Sequence, residues 1–186
     1  MITTGDLKKG ITLDLDGGLY TIIDWEHIKT GRGSAQVRLK LRDLRAGHTI
    51  EKTFQSGSKF NQARIERQSS SYLYSDGDLY YFMDTQTFEQ TMINSDVLGD
   101  VVNYLSDGLE LDILKYGEET MGVELPTSVH LPIAETGPSF KGDTAQGGSK
   151  PATLETGLIV QVPLFLNIGD IISVDTRTGS YIERVS

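Results

Sequence analysis

His27-Ile-Lys-Thr-Gly-Arg-Gly-Ser-Ala-Gln-Val-Arg-Leu-Lys-Leu-Arg42 decides the fold. Its second half alternates, with Val37, Leu39 and Leu41 set between Arg38, Lys40 and Arg42. A period of two is the period of a strand, so the aliphatics face a core and the three cations share an outer face. Leu19 to Trp25 also reads as strand, which makes Gly31-Arg32-Gly33 the turn of a hairpin. Both glycines lack Cβ and accept positive φ, so Arg32 is expected to project into solvent. Lys29, Thr30 and Ser34 complete the tip. A guanidinium held there offers phosphate or ribose a planar fork of donors, with a flat face for stacking.

Outward from the tip, nearly every segment reads as strand. Ile11 to Leu15 alternates and Asp16-Gly17-Gly18 turns the chain; Asp43 to Gly47 is the next turn, followed by the strand His48 to Phe54. That last strand carries Lys52, expected to join Arg38, Lys40 and Arg42 in one basic, RNA-facing patch. Four or five short strands in some sixty residues, without a long helix, indicate a small barrel that closes its own edges. Near Arg64 a second module begins, with an Asp-Gly hairpin at Ser75 to Asp78 between tyrosine-rich strands. One helix follows, capped by Ser95 or Asp96, striped by Val97, Leu98, Val101, Val102 and Leu105, and ended by Gly108. With strands at Leu109 to Tyr116 and Gly122 to Leu125, this is the pattern of an oligonucleotide-binding (OB) barrel. The third module opens on a long glycine-rich loop, Glu135 to Ala152, and returns to strands at 158–164, 171–174 and 181–185. The expected fold is therefore all-β, with domains at 1–64, 65–127 and 128–186.

Composition narrows the function. Cysteine is absent, which removes disulfide frameworks and thiolate zinc sites and fits a reducing compartment. No apolar run reaches the roughly 18 residues of a membrane span, and the amino terminus lacks a secretion signal's apolar core. The expectation is a cytoplasmic protein with no membrane contact. The net charge of −9 argues at first against a polyanionic partner, but it is unevenly spread. Residues 1–64 hold 11 Lys and Arg against 7 Asp and Glu, residues 65–126 hold 2 against 13, and residues 127–186 hold 4 against 6. With a Debye length of about 8 Å, the first third can meet phosphate while the acidic middle is screened from it.

The stretch Gly142 to Ser149 has the look of a phosphate-cradling loop, but no lysine stands at position 148 and no helix follows. Lys150 leads directly into Pro151. Nucleotide hydrolysis is therefore not expected, although Gly142, Asp143, Thr144 and Lys150 can contact an RNA backbone or base edges. His27, His48 and His130 are scattered without ligand spacing, so no metal is expected. The Glu118-Glu119 pair reads as solvated surface rather than as glycosidase chemistry. Tyr72, Tyr74, Tyr80, Tyr81 and Phe82 can stack bases, but alternation buries about half of them and core packing explains them better.

Three stretches together resemble the bacterial elongation factor P family over the whole length. They are the tip from Lys29 to Ala35 with the strands after it, Gly142 to Gly157, and Val162 to Phe165 with Gly169-Asp170 and Asp175 to Tyr181. The resemblance implies an SH3-like, KOW-like translation-protein barrel followed by two OB-fold barrels, arranged as an L that mimics transfer RNA. It implies a factor, not an enzyme and without cofactor, that binds the 70S ribosome between the peptidyl and exit sites and relieves stalling at consecutive prolines. Arg32 then occupies the position that approaches the CCA end of the peptidyl-tRNA, and Gly142, Asp143, Thr144 and Lys150 the loop near the exit-site codon, among ribosomal RNA and mRNA. The middle barrel would face the large-subunit stalk protein. Many members carry a β-lysylated lysine at the tip and some arginine-tip members are rhamnosylated, in a Gly-Arg-Asn frame; Arg32 is thus a possible modification site, and its Gly-Arg-Gly frame, that of the lysine type, favours an unmodified arginine. A monomer is expected. The alternative from another class is a free-standing single-stranded RNA-binding protein or RNA chaperone built of OB-type barrels.

Overall fold

The computed structural model describes residues 1–29, 31, 33–138 and 148–186. Thr30, Arg32, Gly142, Asp143 and Thr144, all singled out above, lie outside the described residues.

Alternation in the sequence becomes three antiparallel sheets. The first holds β1 (Ile2–Thr3), β2 (Thr12–Leu15), β3 (Gly18–Ile28), β4 (Gln36–Asp43), β5 (Thr49–Gln55) and β6 (Lys59–Gln62), in the order β1-β6-β2-β3-β4-β5. Leu13, Ile22, Val37, Leu39, Leu41 and Phe60 are buried at its centre, and Trp25 and Phe54 pack at the margin. The second sheet is built from β7 (Glu66–Asp76), β8 (Leu79–Asp84), β9 (Gln90–Asn94), β10 (Glu110–Tyr116) and β11 (Glu119–Glu124), ordered β11-β10-β7-β8-β9. The third contains β12 (Ser128–Thr136), β13 (Ser149–Leu154), β14 (Ile159–Pro163), β15 (Ile171–Asp175) and β16 (Tyr181–Arg184), ordered β14-β13-β12-β15-β16.

The expected single helix is shorter than its apolar stripe. Asn94, not Ser95 or Asp96, is the cap, its Oδ1 accepting from the Asp96 backbone at 2.9 Å. The α-helix α1 (Ser95–Leu98) stops at Gly99, which turns to φ +56°, and a 3-10 segment continues from Gly99 to Tyr104. Leu98 and Leu105 still reach the core, whereas Val97 is exposed. The reason is local: a left-handed glycine ends the α-helical hydrogen-bond series, and the tighter turn re-aims the remaining residues.

The chain divides into two compact units. Met1–Glu66 with Lys115–Met121 form one, and Arg67–Leu114 with Gly122–Ser186 the other. Within the first, Arg45 donates two hydrogen bonds to Glu119, at 3.0 and 2.8 Å, and a third to the Gly17 carbonyl at 2.8 Å. Within the second, Tyr104 of the 3-10 segment sits in the hydrophobic cluster of the third sheet, and Leu109 and Leu125 pack against the clusters of both sheets. The second and third sheets are thus joined by shared apolar contacts.

Candidate nucleic-acid interface

The β3–β4 hairpin is the long reach of the first sheet. Its ladder runs from Tyr20↔Asp43 to Ile28↔Gln36, with one bulge between Ile22 and Asp24. β5 backs β4 to the same level at Gln36↔Gln55, and the Ser56 N–H donates to the Ala35 carbonyl at 2.8 Å. Trp25 and His27, in edge contact with ring centroids 5.0 Å apart, and Phe54 against Phe60 stiffen the packed side of this stem. Beyond the last rung, Lys29, Gly31, Gly33 and Ser34 are exposed, and a Cβ built on Gly31 would meet nothing within 4 Å.

On the outer face of β4 the structure brings Arg38, Lys40 and Arg42 together, each exposed between buried Val37, Leu39 and Leu41. Lys52 is not with them. It is paired with Leu39 and therefore points to the opposite face, where its ammonium lies 5.4 Å from the centre of the Tyr20 ring. The expected four-residue patch is a three-residue row, because Glu51, not Lys52, sits across from Lys40.

That row is also less basic than the sequence implies. Glu26 lies across from Arg38 and bonds it at 3.0 Å; Asp24 lies across from Lys40 and is bonded by Lys9 at 3.0 Å. Bonding to Lys9 first, and then to the Trp25 N–H, holds the Asp24 carboxyl below the usual carboxylate range. Asp24, Glu26, Arg38, Lys40 and Glu51 line a shallow depression of about 250 Å³ with Trp25. Arg42 alone of the three cations is flanked on both sides by uncharged residues, Thr21 and Thr49. The carboxylates were missed in reading the sequence, yet a rule makes them visible: hairpin partners whose numbers sum to 64 pair Glu26 with Arg38 and Asp24 with Lys40.

The third sheet places Lys150 differently from the expected loop contact. It is a strand residue of β13, paired with Val162 and only 7 % exposed, and its Nζ donates to the Gly137 carbonyl at 2.9 Å. Its ammonium therefore bonds the base of the loop. At the other end of the sheet, Asp175 accepts from the backbone and guanidinium of Arg177 and from the Thr178 N–H. The side-chain bond from Arg177, reinforced by its backbone N–H, brings the Asp175 carboxyl down to about 2.

Of the five aromatics on β7 and β8, Tyr72 and Phe82 are buried and Tyr80 packs against the same core. Tyr74 and Tyr81 instead stack on the outer face, centroids 4.6 Å apart at 16°, with Tyr74 51 % exposed. A depression of about 480 Å³ in the second unit is lined by Glu110, Asp112 and Glu124, which Arg67 and Ser69 bond in part. Its carboxylates disfavour a polyanion. No helix of the described residues is long and apolar enough to cross a membrane.

Residues 3–60 match the elongation factor P KOW-like domain, residues 65–123 the elongation factor P OB domain, and residues 129–184 the elongation factor P C-terminal domain. Elongation factor P of Moorella thermoacetica is 52% identical over 184 residues, 99% of this chain and 100% of that one. Elongation factor P of Thermoanaerobacter sp. is 51% identical over 185 residues, 100% of each. Among solved structures, eukaryotic translation initiation factor 5A from Methanococcus jannaschii superposes with a TM-score of 0.52 at 23% identity, covering 67% of this chain and 90% of that one. An initiation factor 5A family protein from Naegleria fowleri gives 0.52 at 14%, covering 66% and 93%. At such identities these two show a shared fold alone. Full-length identity near one half and three matching domains establish that the chain belongs to the elongation factor P family, translation factors of bacteria.

Proposed function

We propose that the chain binds the ribosome between the peptidyl and exit sites and speeds peptide-bond formation at consecutive prolines by steadying the CCA end of the peptidyl-tRNA. The observation that supports this reading most is the stem that ends at Ile28↔Gln36 and leaves seven residues, with Arg32 at their centre, beyond it. Proline reacts slowly because its secondary amine and fixed φ make an aligned attack hard to reach. Peptide transfer is the ribosome's own chemistry. A factor need only restrict the excursions of the CCA end, and positioning alone supplies several kcal/mol. Arg32 suits that work, since charge-assisted bonds to the sugar-phosphate backbone are blind to sequence and fit every tRNA that ends in CCA.

In this reading Lys29, Thr30, Gly31, Gly33 and Ser34 shape the tip, and Arg42, with Arg38 and Lys40, meets RNA phosphate. Gly142, Asp143 and Thr144 read or brace the exit-site codon. The barrels are the segments 1–64, 65–127 and 128–186, the middle one toward the large-subunit stalk protein, and the factor acts as a cytoplasmic monomer. A toeprint on a polyproline message tests the reading. The stall band should fade when the protein is added, and a stall that persists while the protein cosediments with ribosomes would overturn it.

A further inference from the structure

Two prolines interrupt the ladder at the open end of the third sheet. β12 and β13 are paired as far as Thr136↔Ala152; the next residues outward are Gly137 and Pro151, then Pro138 and Lys150. Neither proline has an N–H to donate, so main-chain bonding cannot carry the pairing further there. Two side chains take over. The Thr136 hydroxyl donates to the Pro151 carbonyl at 3.1 Å, and the Lys150 ammonium to the Gly137 carbonyl at 2.9 Å.

The second bond is unusual in its setting. Lys150 shares the inward face of β13 with Ala152 and Leu154, across from fully buried Val162. Packing alone would be served there by leucine or methionine, whereas a buried ammonium is costly unless it is bonded. Lys150 brings a charged donor to the neck of the loop.

We propose that Lys150 is a positioning residue: with Thr136 it forms a side-chain neck across the two legs, Gly137 and Pro151, and so holds together the two ends to which the intervening segment is attached. This rests on the reading that Gly142 to Thr144 engage the exit-site codon. The neck does not touch RNA in this account; it holds the ends of the segment that does.

The test compares wild type with Lys150→Met, which keeps the volume and removes the donor. Formation of a single peptide bond by a prolyl donor is measured on ribosomes with an exit-site codon, and on ribosomes programmed so that the first codon of the message lies in the peptidyl site. Lys150→Met should unfold at or above the wild-type midpoint, because an apolar isostere removes a buried charge. With the codon present its rescue should fall on the order of tenfold, as expected when a contact group is misaimed. Without the codon the two proteins should rescue alike. Equal rescue on both templates, or an equal loss on both, overturns the proposal. A wild type indifferent to the codon would instead sink the loop reading on which the proposal stands. If Lys150→Met fails to fold, Thr136→Val removes the other half of the neck and must show the same codon-dependent loss; otherwise the neck has no positioning role.

Discussion

Replacing Glu26 with glutamine should tighten binding to the ribosome, although the residue lies in a patch that the sequence presents as basic. Its carboxylate bonds Arg38 at 3.0 Å with both side chains about half exposed, 48 % and 60 %. A phosphate that approaches Arg38 must come within about 6 Å of that carboxylate, a repulsion of about 0.7 kcal/mol in water. At physiological salt, a Debye length of about 8 Å cuts the repulsion roughly in half. The expected gain in affinity is about threefold at low salt and about twofold at physiological salt. Adding Glu51→Gln, beside Lys40, should roughly square it. Thermal stability should hardly change, since exposed pairs of this kind contribute about 0–1 kcal/mol. Titration of a fluorescent protein with ribosomes across a series of potassium chloride concentrations is the assay. Two controls come from the register: Arg42→Gln should weaken binding and lower the salt slope by roughly 0.7 to 0.9, while Lys52→Gln, on the other face, should do neither. The reasoning is refuted if Glu26→Gln binds no better, or if Lys52→Gln costs as much as Arg42→Gln.

Phe82→Ala should destabilise the protein by about 3–5 kcal/mol, because the ring is fully buried in the core of the second sheet; a loss below about 1 kcal/mol by urea titration would contradict that packing. Asp175, ordinarily near 3.8 and held at about 2, contributes stability that is complete above its unfolded value and is lost as pH falls through its folded one. Wild type should therefore lose its advantage over Asp175→Asn between about pH 4 and pH 2; an advantage that survived below that window would show that the Arg177 bond is not its source. Protein isolated from its native host should have the mass of the bare polypeptide, and a hexose-sized addition on Arg32 would overturn the expectation of an unmodified tip.

The strands were legible wherever a residue's chemistry agreed with the face it occupies. Val37 to Arg42 shows this best, since three aliphatics and three cations sort by parity alone. Legibility failed where chemistry and face disagree. Lys52 and Lys150 are cations on inward-facing positions of their strands, one settled on the Tyr20 ring and the other bonded to the Gly137 carbonyl, and neither contact leaves a mark in local alternation. The long loop was overdrawn for the same reason: β12 runs on to Thr136 and β13 begins at Ser149, with an inward lysine disguising a strand. The helix was overdrawn because the apolar stripe continues past Gly99, whose positive φ of +56° ends the α-helix after one turn. Charge counted along the chain could not show that Asp24, Glu26 and Glu51 stand among the cations of β4, because neighbourhood across a sheet depends on register.

Arg32→Ala in a reconstituted translation system bears most directly on the central claim. Polyproline synthesis by the variant should drop to the level seen without the factor while ribosome binding and folding hold, and Arg32→Lys should be impaired as well, since a point charge lacks the guanidinium fork. Rescue by the alanine variant equal to wild type would mean that the tip does not steady the tRNA and that the account of this chain's action is wrong.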